Sequence, residues 1–183
     1  MIINKIMESD DETGNPLDGF WMEGDSLAPP CQAEMDVIDI ILGLANLNTE
    51  SVLYDLGCGD GRICIEASKR FGAKSRGVEI EEDLFSKFRA NILKYGLTEM
   101  TVAIHGDLVE VNLDDATVIV LYLLPPAIEL IRPKLEECIR KGCVVICNSW
   151  GPKSWKAIQR VTCGPYNNVD IMLYDSSSLP TPV

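Results

Sequence analysis

The chain has 183 residues, 46% hydrophobic and 24% charged, ordinary figures for one globular domain whose core needs no covalent staples. Its net charge of −12 argues against a phosphate backbone as the main partner, because nucleic-acid binding rests on Lys and Arg neutralising phosphates, and suits solubility or a basic partner. No apolar run approaches the roughly 18–20 residues of a membrane-spanning helix, and the seven cysteines, odd in number and without a CxxC pair, read as buried free thiols in a reducing compartment.

Residues 1–18 are polar and acidic and read as a flexible tail without a signal or transit pattern, so a soluble cytoplasmic protein is expected, with a mitochondrial location as the weaker alternative. An approach loop, "GFWMEGDSLAPPCQ", opens a domain spanning 19–176. Ala33, Val37, Ile40, Ile41 and Leu44 recur at helical spacing and predict a helix over 32–47. "SVLYDL" is a short apolar strand ending at glycines, "GRICIEASKRFG" a helix with Gly72 as its stop, and "KSRGVEI" a second strand. "EEDLFSKFRANILKYG" is a second such helix, "MTVAIHGD" strand three, and "ATVIVLYLL" strand four, uncharged enough to be buried on both faces. "PAIELIRPKLEECIRKG" is helical, with Pro133 expected to begin a second short helix. "CVVICNSW" is strand five, a short helix is expected near Trp155, "NVDIMLYD" is a last strand, and 177–183 is read as a disordered tail. Alternating strands and helices predict an α/β sandwich on a mainly parallel sheet.

The loop "DLGCGDG" after strand one sits where such sheets bind ligands. Glycine at 57 and 59 lets the chain turn sharply and bring bare backbone against a ligand, while Gly61 allows close packing at the helix start. A dinucleotide GxGxxG would place its third glycine at 62, where Arg62 stands, so the spacing is D-x-G-x-G-x-G. In that spacing the chain resembles the class I S-adenosylmethionine-dependent methyltransferases. The resemblance implies a three-layer Rossmann-like sandwich, its mainly parallel seven-stranded sheet ending in an antiparallel last strand. It also implies S-adenosyl-L-methionine as cofactor. Asp55 would face the amino end of the methionine moiety, with Gly57, Cys58 and Gly59 bordering it. Glu79, followed by Ile80, would take the ribose hydroxyls. Asp107 and the Leu108 N–H would take the adenine, beside a Gly106 that leaves room for the ring. No metal site is marked.

The stretches "LAPPCQAEMDVIDIILGLANLNTESVLYDLGCGDGRICIEASKRFGAKSRGVEI" and "ATVIVLYLLPPAIELIRPKLEECIRKGCVVICNSWGPKSW" look like the small family of the ATP synthase c-subunit and adenine nucleotide translocase lysine methyltransferases. That resemblance implies a protein substrate with an accessible lysine. "YLLPP" lacks the Asp or Asn that precedes the prolines in enzymes methylating base amines, which weighs against a nucleic-acid substrate. An apolar mouth of Tyr122, Leu124, Pro125, Trp150 and Trp21 would suit a lysine stem. Tyr122, Glu23 and Asp25 are the candidates for handling the amine. His105 reads as a packed strand residue, not a base. A small-molecule N- or O-methyltransferase, or a cofactor-binding partner subunit without catalysis, are the alternatives.

Overall fold

Short apolar strands separated by amphipathic helices can bury both faces only by stacking in three layers, and the chain does so. The computed structural model describes residues 32–180. In chain order they form α1 (Met35–Ala45), β1 (Val52–Leu56), α2 (Arg62–Phe71), β2 (Lys74–Glu79), α3 (Glu82–Lys94), β3 (Thr101–His105), β4 (Val118–Leu121), α4 (Pro125–Arg140), β5 (Val144–Asn148), β6 (Gln159–Cys163) and β7 (Val169–Tyr174). Among the described residues, seven strands make one sheet in the order β3-β2-β1-β4-β5-β7-β6. Neighbours from β3 to β5 are parallel, and β7 runs antiparallel to both β5 and β6. The topological switch point therefore lies between β1 and β4, where the glycine loop leaves the sheet.

Strand alternation divides the core. Leu53, Val118, Val120 and Ile146 pack with Ile38, Ile41, Ile63 and Phe88 under α1, α2 and α3. Tyr54, Leu56, Ile119, Leu121 and Cys147 pack with Ile128, Ile131 and Leu135 under α4. These are the two interlayer spaces of a Rossmann-like sandwich.

Three local expectations differ. Pro133 lies inside a continuous α4 and does not start a new helix. Its missing N–H costs one helical bond, but Ile128, Ile131, Leu135, Cys138 and Ile139 are buried on both sides of it, and that stripe outweighs a break of about 3 kcal/mol. Trp155 sits in a turn, its backbone N–H bonded to the Pro152 carbonyl, with the ring edge-on to Tyr174 at 5.6 Å. The chain then forms β6, whose outward face is polar and exposed and so carries no apolar alternation to read. Ser177 and Ser178, expected to begin the disordered tail, belong to a 3₁₀ turn over Ser176–Ser178 capped by Asp175, with Ser178 buried. Residues 1–31 and 181–183 lie outside the described residues, and with them Trp21, Glu23, Asp25 and Cys31.

Candidate functional site

The site is built at the carboxyl ends of β1, β2 and β4. Gly57, Gly59 and Gly61 all hold left-handed backbone, with φ of 79°, 56° and 76°. Other residues are strained there, which answers why three glycines stand in five positions. The N–H groups of Gly57 and Cys58 both donate to the Val78 carbonyl, at 2.9 and 3.0 Å, folding the loop over the end of β2. A Cβ on Gly61 would stand 1.8 Å from the Phe88 ring, so close packing at the helix start is literal and its partner lies on α3. Gly77 meets the same ring from below, where a Cβ would lie 2.5 Å from Phe88 and 2.6 Å from Cys58 Sγ. Nothing in the sequence around Gly77 marked that need.

Glu79 is 7% exposed, and its carboxylate gathers the loop ends: Oε2 accepts from Gly59 N–H at 2.8 Å, Oε1 from Ile80 and Glu81 N–H at 3.0 and 2.9 Å. Asp55 is buried, pairs across the sheet with Gly77 and Val120, and receives no side-chain hydrogen bond among the described residues. Its pKa rises from an ordinary 3.8 to about 7, first through burial and then through the negative charges of Glu79 and Asp60. Asp107 is exposed beyond β3, where Oδ1 accepts from Val109 N–H at 2.8 Å, and Leu108 is buried beside it. Gly106 N–H bonds to the Glu79 carbonyl at 3.0 Å, and a Cβ there would touch nothing within 4 Å. The strand ends thus bring Asp55, Glu79 and Asp107 to one rim. Ile80 extends from it, 61% exposed.

At the other side of the loop, Tyr122 and Trp150 stack at 6.2 Å with planes 18° apart, joining the ends of β4 and β5. Leu124 caps α4 and Pro125 begins it, both half-buried. His105 differs from expectation: it is exposed, stacked on Phe85 at 4.8 Å, with Nε2 3.0 Å from the Ile80 carbonyl and Nδ1 3.4 Å from Glu82. The cysteines at 58, 64, 138, 143, 147 and 163 are free and buried. Burial pushes the Cys58 and Cys147 thiols far up, so neither is a nucleophile near neutral pH.

Sequence reasoning passed over a clasp on the same loop. Arg62 Nε and Nη2 hold the two Asp60 oxygens at 3.0 and 2.9 Å, while Nη1 reaches the Ala33 carbonyl at 3.1 Å and Nη2 also bonds Gln32. The Asp60 carbonyl accepts from Asn91 Nδ2 at 3.0 Å. The signal was present as the D-G-R that follows the second glycine. Asn148, buried at the end of β5, was passed over as well.

Comparison with known proteins agrees with this geometry. Residues 55–159 match the family described as ANTKMT methyltransferase domain. A protein-lysine N-methyltransferase of Saccharolobus islandicus is 36% identical over 141 residues, 75% of this chain and 87% of that protein. The mouse adenine nucleotide translocase lysine N-methyltransferase is 26% identical over 106 residues, 58% of this chain and 46% of that one. Among solved structures, an RNA methyltransferase from Salinibacter ruber in complex with S-adenosyl-L-homocysteine superposes with a TM-score of 0.73 and 31% identity, covering 84% of this chain and 96% of that one.

Proposed function

Because the chain belongs to the family of the ANTKMT methyltransferase domain and is an S-adenosylmethionine-dependent methyltransferase, we propose that it methylates the ε-amino nitrogen of a lysine in a protein. The residues fit the cofactor: two buried carboxylates at successive strand ends, a glycine loop between them, and open space at Gly106. In this reading Asp55 faces the methionine amino group, with Gly57, Cys58 and Gly59 bordering that moiety. Glu79 keeps lone pairs beyond its three backbone bonds for the ribose hydroxyls. Asp107 and Leu108 take the adenine, with Ile80 alongside.

When bound, S-adenosylmethionine supplies an electrophilic methyl: a nitrogen–carbon bond forms as the carbon–sulfur bond breaks, the electron pair passes to sulfur, and the amine proton leaves to water. The protein's task is to align the amine and keep it unprotonated. A lysine ammonium has no lone pair, and desolvation against an apolar wall lowers its pKa. The stacked Tyr122 and Trp150, with Leu124 and Pro125, supply such a wall beside the glycine loop, and this is the observation that supports an aliphatic amine. The name carried by the Saccharolobus relative agrees with it. Trp21, Glu23 and Asp25 complete the acceptor side of the proposal as sequence candidates. A basic region around the target lysine suits the charge of −12, and the free buried thiols suit a reducing cytoplasm.

A second reading has an observation of its own, since the Salinibacter relative is named an RNA methyltransferase and stacked aromatics also receive bases. The charge of −12 and the absence of Asp or Asn before Pro125 weigh against it. The discriminating experiment incubates the chain with a cell extract and methyl-labelled S-adenosylmethionine, then treats the product with protease or nuclease. Label released by protease alone supports the protein reading; label released by nuclease replaces it with the RNA reading.

A further inference from the structure

We propose that Asn148 is the acceptor that orients the incoming amine. This assignment rests on the amine-methylation reading above and adds a residue to it. Four observations converge on this side chain. Asn148 ends β5 and is 2% exposed, in a position where a buried amide needs partners. Ser149 Oγ donates to Asn148 Oδ1 at 2.9 Å, which leaves that oxygen a second lone pair. Side chains alternate along a strand, so Asn148 stands on the same sheet face as Ile146, and Ile146 pairs through Val120 with Asp55. The ladder Leu121↔Cys147 puts Asn148 beside Tyr122, one strand from the glycine loop and next to the aromatic wall.

The backbone that follows is fixed. Ser149 holds a left-handed φ of 66°, kept by its N–H bond to the Asp170 carbonyl at 2.8 Å. Trp150 N–H returns to the Asn148 carbonyl at 2.8 Å. The left-handed Ser149 turns the chain at the carboxyl end of β5, directly after Asn148.

An amide suits this role better than a carboxylate. A neutral amine must keep its lone pair for the methyl carbon, so it can only donate to its surroundings. The amide oxygen, which already accepts from Ser149 Oγ, has a second lone pair that accepts one amine N–H. A carboxylate at the same place would hold the ammonium form and withdraw the nucleophile.

The test compares two ligands by calorimetry on the full chain. Sinefungin carries an amine where S-adenosylmethionine carries the transferable methyl, while S-adenosylhomocysteine has nothing there. With Asn148→Ala, affinity for sinefungin falls about tenfold and affinity for S-adenosylhomocysteine stays unchanged. With Asn148→Asp, sinefungin binds about tenfold more tightly, again without change in S-adenosylhomocysteine. A structural role would move both ligands together, and that result, or equal ratios in all three proteins, overturns the assignment. Should Asn148→Asp fail to fold, the Asn148→Ala ratio decides alone. If neither ligand binds the unsubstituted chain, the cofactor reading fails first and takes this assignment with it.

Discussion

Replacing Asp55 by Asn separates what the buried acid costs the fold from what it does for the cofactor. A carboxyl whose folded pKa lies above its unfolded value binds more protons folded than unfolded, so stability falls as pH rises through that interval. For Asp55 the interval runs from 3.8 to about 7. At about 1.4 kcal/mol per pKa unit, the ionised side chain detracts about 4 kcal/mol above the upper limit. An Asn at the same place has no charge to desolvate but carries an amide to satisfy, which returns about 1–3 kcal/mol of that gain. The expected result is a variant of equal or lower stability near pH 4 that gains steadily on the parent up to pH 7, then holds a constant lead. Urea unfolding of both proteins without cofactor, at pH values from 4 to 8, reads the difference directly, because other titrating groups cancel between them. Saturating S-adenosylmethionine should reverse the order, since under the proposed role only the parent pairs a carboxylate with the methionine amino group. A stability gap that does not change with pH would refute the argument that Asp55 titrates in the fold.

Glu79→Ala should weaken S-adenosylhomocysteine binding by about 1–3 kcal/mol through loss of charge-assisted bonds, and unchanged affinity in calorimetry would remove Glu79 from the ribose. Gly61→Ala should destabilise the chain by about 2–4 kcal/mol in thermal unfolding, because a left-handed backbone and a ring 1.8 Å away both oppose the methyl; the additional change Phe88→Leu should restore part of that loss. Trp150→Ala should raise KM for the methyl acceptor several-fold with little effect on S-adenosylmethionine affinity, and equal effects on both would place Trp150 outside the acceptor wall. Removal of residues 1–18 should leave S-adenosylhomocysteine affinity unchanged, and a large loss would show that the acidic segment belongs to the domain.

The glycine loop and the acids at the strand ends were legible because their demands are local. Three glycines in five positions, an acid before them and acids at the next two strand ends can be read without knowing what packs against what. Gly77 was not legible, since its requirement comes from Phe88, eleven residues away on the next helix, and only the fold brings them together. β6 escaped because an edge strand with a polar outer face has no alternation to show. The continuity of α4 through Pro133 escaped for the opposite reason: the local signal said stop, and an apolar stripe buried on both sides overrode it. His105 follows an apolar run and reads as core, yet β3 is the sheet edge, so its ring lies on Phe85 in the open. Asn148 stands in an apolar run where a single amide draws no attention, and its burial beside the Ser149 hydroxyl is visible only in three dimensions.

The most direct measurement of the central claim is the chemical form of the transferred methyl. Protein labelled by the chain from methyl-labelled S-adenosylmethionine would be hydrolysed to amino acids and separated beside mono-, di- and trimethyl-lysine standards, with Asp55→Ala protein as the control. Label eluting with methylated lysine, and absent from the control, is the expected result. Label in methylated arginine, in a base-labile ester or in nucleotides would contradict the account.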